Sequence, residues 1–483
     1  MSERARTAIV WFRQDLRLAD NPALQAALAT GAPLVPLYVD SREEEGAWAP
    51  GGASRWWLHQ SLAALGTELA RRGSRLVIRR GPALAELQAL CQEAGADAVY
   101  WNRRYEPALR ERDAHIKETL RAQGLVAESR NGALLVEPWQ VATQGGGPYR
   151  VYTPFRRRVL ALPAPPAPLA APAALPAPAA WPHSLPLTGL GLLPANGWYA
   201  SLAAAWQPGE AAAARQLAWF VESGSARYAD CRDFPDAAGT SRLSPHLHHG
   251  EISARQVWHA LMHAAARAGM SPAAASGGKF LAELLWREFS YHLLHHFPRT
   301  PTEPLQESHA RLPWRDAPRE LAAWQRGRTG VPLVDAGMRE LWSTGWMHNR
   351  VRMAVASFLV KNLRLPWLAG ARWFWDTLVD ADLASNTQGW QWVAGCGADA
   401  APYYRVFNPV VQGERYDPQG NYLRRWLPEL ARLDQRQIHA PWLAGDAQLA
   451  AAGVQLGREY PRPIVDLRAS RAAALAAWQA LRG

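Results

Sequence analysis

Residues 161–187 read "ALPAPPAPLAAPAALPAPAAWPHSLPL", nine prolines in 27 residues. Proline removes backbone donors and blocks helix, so the stretch predicts a stiff, extended connector across the surface. The sequence on its two sides differs in kind. Before it, "AIVWF" (8–12), "LVPLYV" (34–39), "RLVIR" (75–79) and "DAVYW" (97–101) read as buried strands. "SRWWLHQSLAALGTELARR" and "PALRERDAHIKETLRAQ" read as amphipathic helices among them. That alternation predicts an α/β doubly wound domain with a parallel sheet. After it, helical patterns cover 209–222, 252–268, 277–296, 332–344 and 346–361, which predicts an all-α second domain. The expected boundaries are an α/β domain at 1–135, a linker at 136–205 and a helical domain at 206–483.

The bulk properties narrow the function. The 483 residues suffice for two or three domains with substantial cores. No run of about 18 apolar residues predicts a membrane span. The opening "MSERARTAIVWF" lacks the apolar core of a secretory signal, so a cytoplasmic protein is expected. Three scattered cysteines, Cys91, Cys231 and Cys396, form no CxxC pair and no disulfide framework. "HLHHG" (246–250) and "HLLHHF" (292–297) lack acidic or thiol partners at ligand spacing, so no metal is expected.

The net charge of +11 suits a polyanionic partner. Arginine bias offers another source for it, with 50 arginines against three lysines. Of 24 tryptophans, 16 follow Ser201, which suggests that the helical half does the chemistry. The first turn, "WFRQDLRLADN", has no glycine, so an ordinary Rossmann dinucleotide bed is disfavoured there.

Three constellations stand out in the helical half. "GTSRLSP" places hydroxyls and an arginine before a helix start, with Ser244 suited to the N-cap and Pro245 to the first turn. It reads as a phosphate seat or as a plain capped turn. "ELLWREFSYHL" puts Glu283, Trp286 and Arg287 on one helical face. That set suits a site, though a surface ion pair beside a packed tryptophan has the same spacing. "GWMHNRVRM" (345–353) aligns Trp346, Asn349, Arg350 and Met353 in a stripe, with Arg352 turned about 100° away. An arginine there needs a carboxylate, and "DADLASNTQGWQW" supplies Asp380 and Asp382, followed by Asn386 and Trp390.

Taken together, "TSRLS", "WREF", "GWMHNRVRMAVASFLVKNL" and "DLASNTQGWQWVAGCGADAAPYYRVFNP" resemble the DNA photolyase/cryptochrome family, and most closely its class I cyclobutane pyrimidine dimer photolyases of bacteria. The likeness runs from "WFRQDLRLADNPAL" to "YPRPIVDLRASRAAALAAW". It implies a helical domain that cradles a bent, non-covalent FAD, active as FADH−. Tyr228 and Thr240, Ser241, Arg242, Leu243 and Ser244 would hold the ribityl and pyrophosphate part. Arg287, Asn349, Arg352, Asp380, Asp382 and Asn386 would line the adenine and isoalloxazine, with Asn386 at the flavin N5. Trp390, Trp367 and Trp314 match the family's photoreduction chain.

The resemblance further implies UV-damaged DNA as partner, bound by a monomer. The dimer would be flipped out of the helix, and light would drive an electron from FADH− into it. Trp286 and Trp392 would wall the dimer, with stacking worth about 1–3 kcal/mol per base. Glu283 would hydrogen-bond it, Met353 and Asn349 would complete the pocket, and Arg232, Arg350 and Arg405 would grip phosphates. Photolyases for (6-4) products carry histidines where this chain has "MHNRVRM", so Met353 favours cyclobutane dimers. In the N-terminal domain, Asn102 and Glu106 fall where relatives contact a light-harvesting antenna, either 5,10-methenyltetrahydrofolate or 8-hydroxy-5-deazaflavin. The alternative is a cryptochrome-like FAD photoreceptor without repair activity. Fewer than twenty residues follow "YPRPIVD", which leaves little room for a regulatory tail.

Overall fold

A computed structural model describes residues 7–400 and 404–480. The N-terminal "MSERAR" and Ala401–Tyr403 of the "APYYRVF" motif lie outside them. The described chain divides into two compact units. The first comprises 1–225, 241–298 and 379–382, and the second 226–240, 299–378 and 383–483.

The first unit opens with β1 (Thr7–Phe12), α1 (Pro22–Leu28), β2 (Leu34–Asp40), α2 (Gly52–Ala70), β3 (Val77–Arg80), α3 (Ala83–Ala94), β4 (Ala96–Asn102), α4 (Pro107–Ala122) and β5 (Val126–Arg130). The strands form one parallel sheet in the order β3-β2-β1-β4-β5. Every residue of β1 and β2 is buried, as strands covered on both faces must be. The period of two divides them cleanly. Ala8, Val10 and Phe12 pack with Leu58, Leu62 and Leu65 of α2. Ile9 and Trp11 face the opposite layer, with Leu87 and Leu90 of α3 and Ile116 and Leu120 of α4. Pro36 sits inside β2, yet β3 joins only from Leu37 onward, so no ladder bond on that side is lost.

β5 was not expected from the sequence. Its "VAESR" is an edge strand with one buried side chain, so its hydrophobic signal is weak. The segment expected as a linker also carries a helix, α5 (Tyr152–Leu160). The proline-rich stretch lies along the sheet domain. Its carbonyls at Leu169 and Pro176 accept from Asp20 and Leu34, while Leu175 and Leu185 donate to Arg72 and Ile78. Leu175 is buried in the α2-side core. The remaining helices of this unit include Glu210–Trp219, Ala254–Arg267 and Lys279–His296.

The turn after β1 is held by side chains in place of glycine. Arg17, fully buried, donates to the carbonyls of Asp20, Gly132 and Gly250. Asn102 at the end of β4 donates to Asp15 and Asn21, and its Oδ1 accepts from Ala23 N–H.

The second unit is helical: Pro318–Gln325, Pro332–Thr344, Asn349–Ser357, Trp367–Thr377, Leu383–Ala394, Pro409–Tyr416 and Leu467–Ala480 are its longer elements. Gly337 lets two of them close together, since a Cβ there would lie 2.5 Å from Val351 and 2.9 Å from Val355. Asn349–Ser357 continues into a π turn, Phe358–Asn362. No helix among the described residues is long and apolar enough to cross a membrane.

Candidate functional site

In the first unit, the segment Ser241–Ser244 is held from two sides. Gln216 donates to the Ser241 carbonyl at 2.9 Å, and the Arg242 guanidinium lies 4.1 Å from the centre of the Trp206 ring. Arg242 adopts φ +52°, a left-handed conformation costly for a residue with a Cβ. Ser244 proves to be the first residue of the short helix Ser244–His248, and Leu243 occupies the cap position expected for Ser244. No side chain caps that helix; the Ser241 hydroxyl instead accepts from Leu243 N–H. Ser244 is left exposed.

Asp382 is buried among the residues that "WREFSYHL" supplies. Tyr291 donates its hydroxyl to the carboxylate, and His248 Nδ1 lies 3.8 Å away, within charge range but too long for a hydrogen bond. Burial alone would raise the Asp382 pKa, but His248, Arg287 and Tyr291 outweigh it and hold the group ionised, far below the usual carboxylate range. Arg287 donates to the Ala133 carbonyl at 3.0 Å and lies over the Tyr291 ring at 4.9 Å. Asp380 is buried in the same short segment. One residue of "WREF" that the sequence reading passed over, Glu288, accepts from the backbone of Leu135 and Val136. Its burial pushes the carboxyl up to about 7, against the pull of Arg287. Glu283 and Trp286 sit half-buried on the same helix.

The antenna residues occupy the sheet domain of this unit. Asn102, expected to face a chromophore, lies 3% exposed inside the turn bracket described above. Glu106 is paired with Arg104 at 2.7 Å; burial raises its pKa, but Arg104 prevails and holds it below the ordinary range. Arg104 itself lines a cleft with Arg13, Tyr38, Glu45, Arg112 and His248.

In the second unit, the helix expected from Trp346 begins at Asn349. Gly345, at φ +65°, terminates Pro332–Thr344, and His348 then serves as N-cap, its Nδ1 accepting from Arg350 N–H at 3.2 Å. Trp346 therefore leaves the helical stripe, while Asn349, Arg350 and Met353 keep theirs. Asn349 is exposed; Arg350, Arg352 and Met353 are half-buried. Arg350 pairs with Asp233 at 2.6 Å and lies over Tyr416 at 4.5 Å. Arg352 donates to the Met347 carbonyl at 2.7 Å. Arg232 lies over the ring of buried Tyr228. Trp392 donates to the Asp399 carbonyl, and Arg405 is exposed. Thr240 is half-buried.

Asn386 donates its Nδ2 to the Ala371 carbonyl at 3.0 Å, which fixes the amide's orientation. One turn on, Trp390 is 2% exposed, edge-on to Phe374 and to Trp324. Trp367 is buried at the start of its helix, and Trp314 is partly exposed. The segment carrying Trp314 is tied to the turn before Trp367, because Arg315 N–H donates to the Arg364 carbonyl. Exposure thus rises from Trp390 to Trp314.

Comparison with known proteins identifies the family to which these two units belong. The FAD binding domain of DNA photolyase matches residues 280–480, and the DNA photolyase domain matches residues 8–177. A deoxyribodipyrimidine photo-lyase of Agrobacterium fabrum is 48% identical over 100% of this chain and 99% of its own length. The chain belongs to the DNA photolyase/cryptochrome family. Its members include cryptochrome-1 of Arabidopsis thaliana, 42% identical over 96% of this chain and 69% of the cryptochrome. The crystal structure of a bacterial class III photolyase from Agrobacterium tumefaciens superposes with a TM-score of 0.95 at 48% identity, covering 100% of this chain and 99% of that one.

The family's FAD-binding domain is thus present, and the chemistry of the residues in and before it fits such a group. Within the first unit, Ser241–Ser244 offer hydroxyls and an arginine, and Asp382 is held ionised beside cationic Arg287; within the second, taken by itself, the Asn386 amide is held by the Ala371 carbonyl.

Proposed function

We propose that this protein is a deoxyribodipyrimidine photo-lyase that uses light to split cyclobutane pyrimidine dimers in DNA. The observation that carries the reading is the fixed amide of Asn386. With Nδ2 committed to Ala371, its Oδ1 is the atom left to accept a hydrogen bond, as a reduced flavin bearing N5–H requires. Bound in its reduced form, FAD supplies the photoexcited electron. The chain's own residues bind, orient and resupply. Ser241–Ser244, with Tyr228 and Thr240, hold the phosphate and ribityl part. Arg287, Asn349, Arg352, Asp380 and Asp382 hold the ring systems. Trp390, Trp367 and Trp314 carry electrons inward from the surface.

Toward DNA, Trp286 offers a stacking wall for an extruded base and Glu283 hydrogen-bonds the dimer; Trp392, in the second unit, is a further stacking residue. Met353 and Asn349 contact it, and Met353 in place of a histidine favours cyclobutane over (6-4) lesions. Arg232, Arg350 and Arg405 hold phosphates. Arg350 must exchange Asp233 for phosphate, so part of its attraction to DNA is offset. Within the family, the likeness to the Agrobacterium class III structure outweighs the class I reading of the motifs, and we place the chain with class III. The cleft bordered by Arg104 is the place for an antenna, either 5,10-methenyltetrahydrofolate or 8-hydroxy-5-deazaflavin, with Glu106 acting through Arg104. Three free thiols among the described residues suit a reducing cytoplasm.

A second reading, a photoreceptor without repair, draws on the 42% identity with the Arabidopsis cryptochrome. One assay separates them. Thymine-dimer oligonucleotides are illuminated with fully reduced protein, and dimer loss is followed. Repair only in the light supports the enzyme; no repair under light, or equal repair in darkness, overturns it.

A further inference from the structure

Trp286 does not stand alone on its helix. Tyr152, the first residue of α5, lies flat against it, with ring centroids 3.7 Å apart and planes 8° from parallel. Aromatic pairs left to themselves prefer offset or edge-to-face arrangements over a near-eclipsed sandwich, so something else must hold this one. Two contacts do. The Tyr152 hydroxyl donates to the Ala282 carbonyl at 2.7 Å, and Ala282 lies one turn before Trp286 on the same helix. Phe289 closes the group edge-on, 6.0 Å from Tyr152 and 5.8 Å from Trp286. Tyr152 is buried, whereas Trp286 is half-buried. Burial and the nearby Glu283 push the Tyr152 pKa well up, so the hydroxyl stays a neutral donor. One turn along α5, Arg156 donates to the Ser276 carbonyl at 3.0 Å, which anchors α5 to the segment leading into the Trp286 helix.

We propose that Tyr152 is a positioning residue for lesion recognition: by covering one face of Trp286 it fixes the indole as a one-sided platform on which an extruded base stacks. The inference rests on Trp286 being a wall of the dimer pocket. An indole free to turn would lose rotamer freedom on binding, and a pre-set one does not. Undamaged DNA, whose bases stay stacked in the duplex, does not use the platform.

The test measures dark binding to dimer-containing and undamaged oligonucleotides, together with light-driven repair, for Tyr152→Leu, Tyr152→Phe and Trp286→Ala. Tyr152→Leu is expected to weaken dimer binding about three- to tenfold, the range for freeing one aromatic side chain, with binding of undamaged DNA and the flavin spectrum unaltered. The loss should fall in KM and leave kcat alone. Tyr152→Phe, which keeps the ring, should recover most of it. In a Trp286→Ala background the Tyr152→Leu effect should vanish, since the two residues act as a unit. An equal loss on undamaged DNA, an undiminished effect without Trp286, or no recovery by phenylalanine would overturn the positioning role. If Trp286→Ala itself leaves dimer binding intact, it is the placing of Trp286 against the dimer that fails.

Discussion

The Trp390 indole lies directly over the bare Cα of Gly370: a Cβ there would come within 2.1 Å of Trp390 Cη2 and 2.6 Å of Leu359. The glycine is required by space, because its φ is not in the left-handed region. Gly370→Ala should therefore displace the ring or overpack the core, at a cost of about 1–3 kcal/mol. Thermal unfolding should report the loss, and light-driven bleaching of oxidised flavin should slow with it. An alanine variant with parental stability and photoreduction would mean that Trp390 is free to move aside.

Trp390 is the most buried of the three expected electron carriers, which makes it the flavin-proximal one in this reading. Trp390→Phe removes an oxidisable indole but keeps an aromatic body against Phe374 and Trp324. Photoreduction of oxidised flavin should be blocked, while repair by chemically pre-reduced protein should persist. Parallel loss of both would assign Trp390 to packing alone.

Glu283 shares a helix with Arg287, but the two have separate duties in this reading: one faces DNA and the other the flavin. Glu283→Ala should lower the yield of dimer splitting per absorbed photon and leave flavin bound. Arg287→Ala should do the reverse, releasing flavin because ionised, buried Asp382 loses a cationic neighbour. Breaking one side of such a buried set costs about 3–5 kcal/mol. The absorption of chromophore retained after gel filtration distinguishes the two; flavin loss in the Glu283 variant would mean that its role is misplaced.

What the sequence disclosed followed its strongest periodicities. β1 and β2 are uninterrupted apolar runs and were legible, whereas β5 buries one side chain of five and was not. The cap expected at Ser244 falls one residue earlier, and the helix expected from Trp346 starts three residues later, because Leu243 and His348 are poor cap formers and no propensity points to them. Motif likeness singled out Trp286 and Asp382 but could not show what packs against them. Tyr152 lies 134 positions from Trp286 in the chain, and neither Tyr152 nor Glu288 carries a local signal of its long-range contact. The histidines of "HLLHHF" were expected to lack a metal role, and the structure gives His292 another one.

His292, 1% exposed, bridges two loop carbonyl and amide groups as a neutral imidazole. Its Nδ1 donates to the Pro138 carbonyl at 3.2 Å, so Nε2 is the acceptor for Tyr149 N–H at 3.0 Å. Protonation would put a second N–H where that amide points. Burial, reinforced by the charge of neighbouring His296, lowers the pKa to about 4. Between about 4 and 6.5 the unfolded chain binds the proton and the folded one does not, so stability rises with pH across that window. The contribution is complete above about 6.5 and lost as pH falls through about 4, on the order of 3 kcal/mol in all. His292→Gln can keep both bonds through its amide without titrating. Urea unfolding at a series of pH values should then show a shallower acid slope for the glutamine variant than for the parent. Identical slopes would mean that His292 takes up its proton inside the fold at no cost in stability.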